Sequence, residues 1–455
     1  MQPENRITSS RAFIFAIAGA AIGLGNLWRF PYVAGENGGS LFFLLYIVFV
    51  VLLGLPVMIA EIVVGRAGRA SPASSLRQLA VSAGHTRHWS KLAWFGTLAA
   101  TMILSFYSVV SGWVLHFFFQ SLSGELSSHN IQAASIRFQQ LLESPGRVVL
   151  YHGLFILMTV AISGRTISKG IERLNNWLMP LMYLILVVLL IYASRFNGFS
   201  IALDYLFAFK FEAVSLGVVL EAMGHAFFTL AIGACCLMAY GAYMPERQSV
   251  VRVVLIVALL DVLVAVMVGI ATFTVVFSEG LSVVEGPGLM FITLPVALAQ
   301  MPFGSLILPL FFLLLVMAVW TSAVNLAEPL VVMMSRLCSG GRAAGAAIAG
   351  VMIFLVGLIP GLSFSFWKNV SIDGKNLFDF YTGFATQVML PTVGLLILCF
   401  CGYVMERKVL VKQLRMRGRS LQIWRFLIRR AGPSLLLIMI IGELFRFWSK
   451  VTPSF

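Results

Sequence analysis

Apolar positions in this chain fall in long unbroken runs, with polar residues gathered in the short stretches between them. Runs of about 20 apolar residues are long enough to cross a bilayer as helices. The pattern predicts eleven spans, at about 11–35, 40–65, 91–120, 147–164, 175–194, 214–243, 250–277, 304–335, 343–360, 376–404 and 423–445. The segment 280–302, "GLSVVEGPGLMFITLPVALAQMP", is apolar but broken by Gly and Pro, and reads as a helical hairpin lying on the outer face. The longest outer loop, about 121–146, is polar and contains Ser-Pro-Gly. Composition agrees with a polytopic membrane protein. The 455 residues are 60% hydrophobic and 11% charged, with a mean hydropathy of +0.94, more apolar surface than a soluble domain of this length hides. The polar leader "MQPENRITSSR" lacks a well-placed small-residue cleavage site, so it does not read as a removable signal peptide.

Charge sets the orientation. The formal net charge is +14, which in a soluble chain would suggest nucleic acid. Here the basic residues cluster in every second loop: Arg66 to Lys91, then Arg165, Lys169 and Arg173, then Arg247 and Arg252, then Arg336 and Arg342, then Arg407 to Arg419. Basic loops are cytoplasmic. The N-terminus is therefore expected inside, the C-terminus outside, and no nucleic-acid partner is expected. The five cysteines, Cys235, Cys236, Cys338, Cys399 and Cys401, sit in or beside apolar segments. Neither a structural disulfide nor a zinc site is expected from that placement.

Two spans break the apolar pattern. Span 1 reads "AGAAIGLGNLWRFPYVAGENGG" and carries Gly19, Gly23, Gly25, Asn26, Arg29 and Pro31. Each glycine in a helix interior costs about 1 kcal/mol relative to alanine, so local unwinding is cheap there. Unwound backbone at membrane depth is tolerated only where its N–H and C=O groups find partners. A hard cation suits the carbonyls and the Asn26 amide oxygen; a carboxylate suits N–H groups at the start of the second half-helix. Close packing of small residues is the competing explanation of the glycines alone. Span 6 reads "EAMGHAFFTLAIGACCLMAYGAY", with His225, Thr229 and Gly233 at mid-membrane. Spans 1 and 6 lie five apart, as two five-span repeats require. Paired interrupted segments of this kind mark a transporter binding site, a generalisation drawn from the family resembled below.

Other polar residues at membrane depth each have two readings. Arg29 either pairs with an acid, Asp379 being the candidate, or snorkels to the headgroups. Asp261 in span 7 needs a cation or a proton. Thr321 and Ser322 in span 8 hold an ion or bond back to the i−4 carbonyl. Glu328 is a proton site or, by preference, a buried hydrogen-bonded acid. His225 is a pH-sensitive group or, by preference, a hydrogen-bonded structural histidine. Tyr107 caps a ligand or is an interfacial aromatic.

The span 1 motif resembles the first-helix signature of the neurotransmitter:sodium symporter family, in its bacterial amino-acid transporter branch. Similar stretches continue through "GLPVMIAEIVVGR" (54–66), "ISKGIERLNNWLMP" (167–180), "AFFTLAIG" (226–233), "MFITLP" (290–295) and "WTSAVNLAEP" (320–329), covering essentially the whole chain. The resemblance implies an all-α fold of two inverted five-helix repeats, about 11–194 and 214–404, with discontinuous helices 1 and 6 and an extra helix at about 423–445. It implies a single transporter domain that couples amino-acid import to two Na⁺ ions. One Na⁺ would meet Ala21, Asn26, Thr229 and Asp261. The other would meet Gly19, Ile22, Ala318, Thr321 and Ser322. The amino acid would sit against Ala21, Leu24, Gly25, Ile103, Tyr107, Phe228, Ala231, Ala234, Ala323 and Leu326. Phe228 and Tyr107 would form the outer lid, with an Arg29–Asp379 gate above it.

Three departures from the family pattern sharpen the expectation. Gly23 stands where monoamine transporters of the family carry an aspartate, which favours an amino acid with its own carboxylate. "AIGACC" replaces the usual span 6 break, so Ala231 lacks a hydroxyl, Cys235 adds bulk and Ala234 opens room. A hydrophobic or aromatic amino acid is expected. Glu4 and Arg336 occupy the inner-gate positions with their charges swapped. Asp261 supplies a fixed negative charge beside the first Na⁺, so chloride-independent transport is expected. The rivals are a non-transporting amino-acid sensor and a channel-like protein on the same fold; an enzyme would need a nucleophile–base pair or a metal cluster at membrane depth, and the sequence offers neither.

Overall fold

The computed structural model describes residues 7, 9–126, 130–209, 215–281, 288–372 and 374–449. All eleven expected spans are helical. Seven run as single helices before the last: Ser40–Gly68, Arg87–Leu122, Pro145–Ser163, Ser168–Ala193, Val250–Ser278, Gly304–Leu337 and Gly341–Gly361, with Leu377–Val404 as the tenth span. The eleventh continues from Arg419–Phe426 through Leu427–Ala431 to Gly432–Ser449. Spans 1 and 6 are each two half-helices. Span 1 is Ser10–Ala21 and Gly25–Glu36, half-spans 1a and 1b, bent by 47°. Span 6 is Leu216–Thr229 and Cys236–Tyr243, half-spans 6a and 6b below.

The outer segments differ in part from expectation. The 121–146 loop contains a helix, Ile131–Leu142, capped by the Asn130 side chain. In the 280–302 segment a single helical limb, Leu289–Gln300, is present, and it is buried rather than laid on a surface. Residues 282–287, where the other limb of the hairpin would fall, lie outside the described residues.

Burial separates scaffold from lipid-facing helices. The most apolar stretch of span 3 is 89% buried and that of span 8 is 78% buried, whereas spans 4 and 5 are 33% buried. Spans 3 and 8 pack along each other through the centre, with span 1 against span 8 and half-span 6b against span 2. The last of these contacts is backbone on backbone. A Cβ on Gly65 would lie 1.8 Å from the Met238 carbonyl oxygen, and one on Gly241 would lie 2.4 Å from that of Ile62. Small residues allow such approach where the hydrophobic effect cannot drive helices together.

The expected basic loops meet at one end of the bundle, the basic face. Arg66 donates to the Gln248 carbonyl at 2.9 Å, Arg69 to that of Met244 at 2.6 Å and Arg415 to that of Glu246 at 3.1 Å. Arg342 donates to the Arg165 carbonyl at 2.6 Å. At the opposite end Lys368 pairs with Glu143 at 2.8 Å.

The span 2–6b contact gives a direct test. Gly241→Ala should destabilise the protein by about 1–3 kcal/mol through overpacking. Gly146→Ala, where a Cβ meets nothing within 4 Å, should leave the melting temperature in detergent unchanged or slightly raised.

Candidate ion and substrate site

The span 1 break falls at Ile22 to Leu24, where the chain leaves the helix between Ala21 and Gly25. Gly23 has no space for a side chain: a Cβ there would lie 2.4 Å from the Tyr107 hydroxyl and 2.7 Å from Ser322 Oγ. The span 6 break runs from Leu230 to Cys235 and includes positive φ at Ala231 (52°), Gly233 (80°) and Cys235 (56°). Glycine adopts that conformation freely, whereas alanine and cysteine are held in it at about 1–3 kcal/mol each. The break is tied to span 2 by Glu61, whose Oε1 accepts the Gly233 N–H at 2.7 Å. The two breaks face each other, with Gly25 packed on Thr229.

Beside them, oxygens of three helices converge. Asn26 Nδ2 donates to the Asp261 carbonyl at 2.8 Å and to Asp261 Oδ1 at 2.9 Å. The Thr229 hydroxyl lies within bonding distance of both Asn26 Oδ1 and Asp261 Oδ1, the latter at 2.9 Å. Tyr46 donates to Asp261 Oδ2 at 2.6 Å. Asn26, Tyr46 and Asp261 are wholly buried and Thr229 is 1% exposed. One hydroxyl has one hydrogen, so Thr229 cannot satisfy both acceptors. Three oxygens, from Asn26, Thr229 and Asp261, are therefore crowded around too few protons, with one carboxylate among them. That is the donor chemistry of a hard monovalent cation.

Nearby, the two hydroxyls of span 8 diverge. The Thr321 hydroxyl lies 3.0 Å from the carbonyls of both Met317 and Ala318, which share its one hydrogen, the internal bond expected of hydroxyls in membrane helices. Ser322 reaches across to the Ala20 carbonyl at 3.1 Å. Ser322 thus sets one oxygen of span 8 against the end of half-span 1a, while Thr321 stays bonded within span 8.

Tyr107 accepts the Leu24 N–H at 3.2 Å. Around it lies a small cavity lined by Ala20, Ala21, Gly23, Leu24, Gly25, Ile103, Tyr107, Phe228, Ala231, Ala234, Ser322, Leu326 and Leu390. Nearly all the expected substrate residues are present in this lining. Ala323 is buried but not part of it, and Leu390 of span 10 is an addition that its plain sequence context gave no cause to single out. The cavity measures about 20 Å³, room for about one water, so an amino acid fits only if side chains move.

Phe228 separates this cavity from one of about 280 Å³ lined by Arg29, Phe106, Glu221, Phe378, Asp379 and Gln387, among others. Its ring stacks on Phe106, centroids 6.4 Å apart, and lies 5.3 Å beneath the Arg29 guanidinium. The expected Arg29–Asp379 pair is not formed. Arg29 pairs with Glu221 at 3.3 Å, and Gln387 donates to the other Glu221 oxygen at 2.9 Å. Asp379 faces the same cavity but is turned to its own helix start, accepting from Asn376 Nδ2 at 2.9 Å. Glu221 was legible only as one acid in an apolar run.

At the basic face, Glu4 of the expected inner gate lies outside the described residues, and Arg336 donates to Ser74 Oγ at 2.7 Å. The closure seen there is different. Glu328, wholly buried, takes both arms of Arg342, at 2.9 and 2.5 Å, and the Tyr243 hydroxyl at 2.7 Å. Glu328 is thus the buried hydrogen-bonded acid expected. His225 is structural but, contrary to expectation, has no hydrogen bond on either ring nitrogen among the described residues. It packs instead among Phe30, Phe42 and Tyr46, with centroids 5.8, 5.5 and 5.0 Å away.

Helices broken opposite each other around a buried oxygen cluster, with a barrier on either side, define a secondary transporter of the inverted-repeat class. The sequence model of the sodium:neurotransmitter symporter family matches residues 5–136 and 131–454. The uncharacterised sodium-dependent transporter YhdH of Bacillus subtilis (strain 168) is 31% identical over 438 residues, 95% of this chain and 96% of that one. The sodium- and chloride-dependent GABA transporter 2 of Macaca fascicularis is 26% identical over 399 residues, 76% of this chain and 64% of that protein. Among solved structures, that of MhsT in complex with L-phenylalanine has a TM-score of 0.90 and 34% identity, covering 96% of this chain and 99% of MhsT. The chain belongs to the sodium:neurotransmitter symporter family.

The Glu328–Arg342 pair yields a test. Glu328→Gln leaves Arg342 without its counter-charge and should lower stability by about 3 kcal/mol, read as a fall in melting temperature. Adding Arg342→Met should recover part of that loss.

Proposed function

We propose that this protein is a Na⁺-coupled symporter that imports a hydrophobic or aromatic amino acid by alternating access, without chloride. The reading is carried by one observation: the crowded oxygens of Asn26, Thr229 and Asp261 sit beside the unwound backbone of the span 1 break. A Na⁺ there, completed by the Ala21 carbonyl, offers a positive charge to the substrate carboxylate. That carboxylate takes the N–H groups of Leu24 and Gly25 and the Tyr107 hydroxyl. Gly23 lets the Tyr107 hydroxyl and Ser322 Oγ come up to the break, where a side chain would displace them.

A second Na⁺ lies among Gly19, Ile22, Ala318, Thr321 and Ser322. Binding it turns Thr321 away from its internal bond and draws half-span 1a to span 8. The substrate side chain extends toward Ile103, Ala231, Ala234, Ala323 and Leu326, an apolar wall that discriminates against polar side chains by desolvation. The ligand in the MhsT structure, L-phenylalanine, supports an aromatic substrate.

Each end of the path has its own barrier. Phe228, pressed down by Arg29, closes the outer side; Arg29 is released from Glu221 when the lid lifts, and Asp379 offers it a second carboxylate in the same cavity. Glu328 and Arg342 close the inner side, and a charge-swapped Glu4–Arg336 pair is the further gate expected there. On this reading the basic face is cytoplasmic, the N-terminus is inside, the C-terminus is outside and the protein sits in the cell's plasma membrane. Residues 11–194 and 214–404 form the two inverted repeats of one transporter domain, with 423–445 peripheral.

Asp261 makes chloride unnecessary, because it already supplies the negative charge that offsets one Na⁺. In proteoliposomes, an inward Na⁺ gradient should drive accumulation of L-phenylalanine or an aliphatic amino acid, and replacement of chloride by gluconate should leave the rate unchanged. Uptake that fails in gluconate contradicts the role of Asp261. Binding without accumulation would favour the sensor reading.

A further inference from the structure

Two buried amides belong to none of the groups placed above. Asn175 lies in span 5, and Asn325 lies one turn from Thr321 toward the basic face. Both are wholly buried. Asn325 Nδ2 donates to the Thr321 carbonyl at 2.8 Å and to Asn175 Oδ1 at 3.3 Å. Asn175 Nδ2 donates to the Ile171 carbonyl at 2.9 Å and to Asn325 Oδ1 at 3.4 Å. Tyr240 of half-span 6b donates to Asn325 Oδ1, and Cys236 Sγ donates to the Asn325 carbonyl at 3.2 Å.

The pair sits directly against half-span 1a. A Cβ on Gly19 would lie 2.2 Å from Asn175 Oδ1 and 2.9 Å from Asn325 Nδ2. Half-spans 1a and 6b and spans 5 and 8 therefore meet at one polar point, on the basic side of Thr321. Polar side chains are costly in an apolar interior unless partnered, and here each amide supplies the partner of the other. Their mutual bonds are long, and water replaces such bonds with little enthalpic loss once it reaches them. The contact is firm while dry and weak when wet. That is the behaviour required of a wall that must part for an ion to leave.

We propose that the Asn175–Asn325 amide pair, braced by the Tyr240 hydroxyl, is the inner wall of the second ion site, holding Gly19 against span 8 so that Na⁺ affinity and release to the cytoplasm depend on it. The proposal rests on the reading of Thr321 and Ser322 as an ion site. Asn175, Asn325 and Tyr240 act as positioning residues. Na⁺ held only when the wall is closed has an apparent affinity scaled by the closed fraction. Losing one buried hydrogen bond from the wall therefore weakens apparent Na⁺ binding about three- to tenfold.

The test is thermal unfolding of the purified full chain titrated with NaCl against KCl at constant ionic strength. Tyr240→Phe keeps the ring and its packing; Asn175→Ala removes one amide. Both should raise the half-saturating Na⁺ concentration about three- to tenfold, with little change in melting temperature in KCl alone. In a variant retaining Cys236 as its one cysteine, maleimide labelling should be slowed by Na⁺, and Tyr240→Phe should speed it. If Asn175→Ala does not fold, Tyr240→Phe carries the test. An unchanged Na⁺ half-saturation in Tyr240→Phe overturns the proposal, as does a fall in melting temperature in KCl with no change in Na⁺ response. A wild-type protein that does not respond to Na⁺ at all refutes the ion-site reading itself.

Discussion

Backbone N–H and C=O groups inside a bilayer need partners, and a helix ordinarily supplies them from within. Spans 1 and 6 give up that supply for a few residues, and much of the surrounding structure answers the resulting demand. Tyr107 meets the Leu24 N–H, Glu61 meets the Gly233 N–H, and Ser322 meets the Ala20 carbonyl. These three side chains come from three different spans. Each protein partner fixes the position of a break, and residues of both breaks line the small cavity. On this reading, ion and substrate complete a hydrogen-bonding account that the protein leaves open on purpose at one depth.

The same constraint explains the differing character of the two breaks. Span 1 unwinds at glycines that tolerate unwinding. Span 6 forces Ala231 and Cys235 into left-handed backbone that disfavours them. Glu61 holds the glycine between them, and Gly96 of span 3 makes room for Cys235, since a Cβ there would lie 2.4 Å from its sulfur. The strain at Ala231 sits in the lining of the small cavity, where Ala234 also lies. On the proposed function, selectivity and strain share one short segment, whereas the ion sites draw on the less strained break in span 1 together with Thr229, Asp261 and span 8.

Much of this was legible in the sequence because polar residues in apolar runs announce themselves. The eleven spans follow from the apolar runs and the location of both breaks from the glycines and polar residues within them, whereas the convergence of Asn26, Thr229 and Asp261 was implied by the family resemblance. What was not legible is pairing across long separations. Arg29 finds Glu221 instead of Asp379, 192 residues away in the chain, because Gln387 fixes Glu221 while Asn376 holds Asp379 at its own helix start. Tyr46 looks like an ordinary aromatic in a membrane helix until Asp261 is placed beside it. Asn175 and Asn325 lie 150 residues apart, and neither gives a signal without the other. His225 was misread for the opposite reason: burial supplied it with aromatic rings where a hydrogen-bond partner was expected.

The central claim is that the interrupted backbone of spans 1 and 6 is satisfied by Na⁺ and an amino acid. Hydrogen–deuterium exchange of the purified protein reads those amides directly. Peptides covering residues 21–26 and 229–236 should exchange more slowly in Na⁺ plus amino acid than in K⁺ plus the same amino acid, while uninterrupted span 3 stays unchanged. Equal exchange of both breaks in the two salts, with any of the twenty amino acids, would contradict the account.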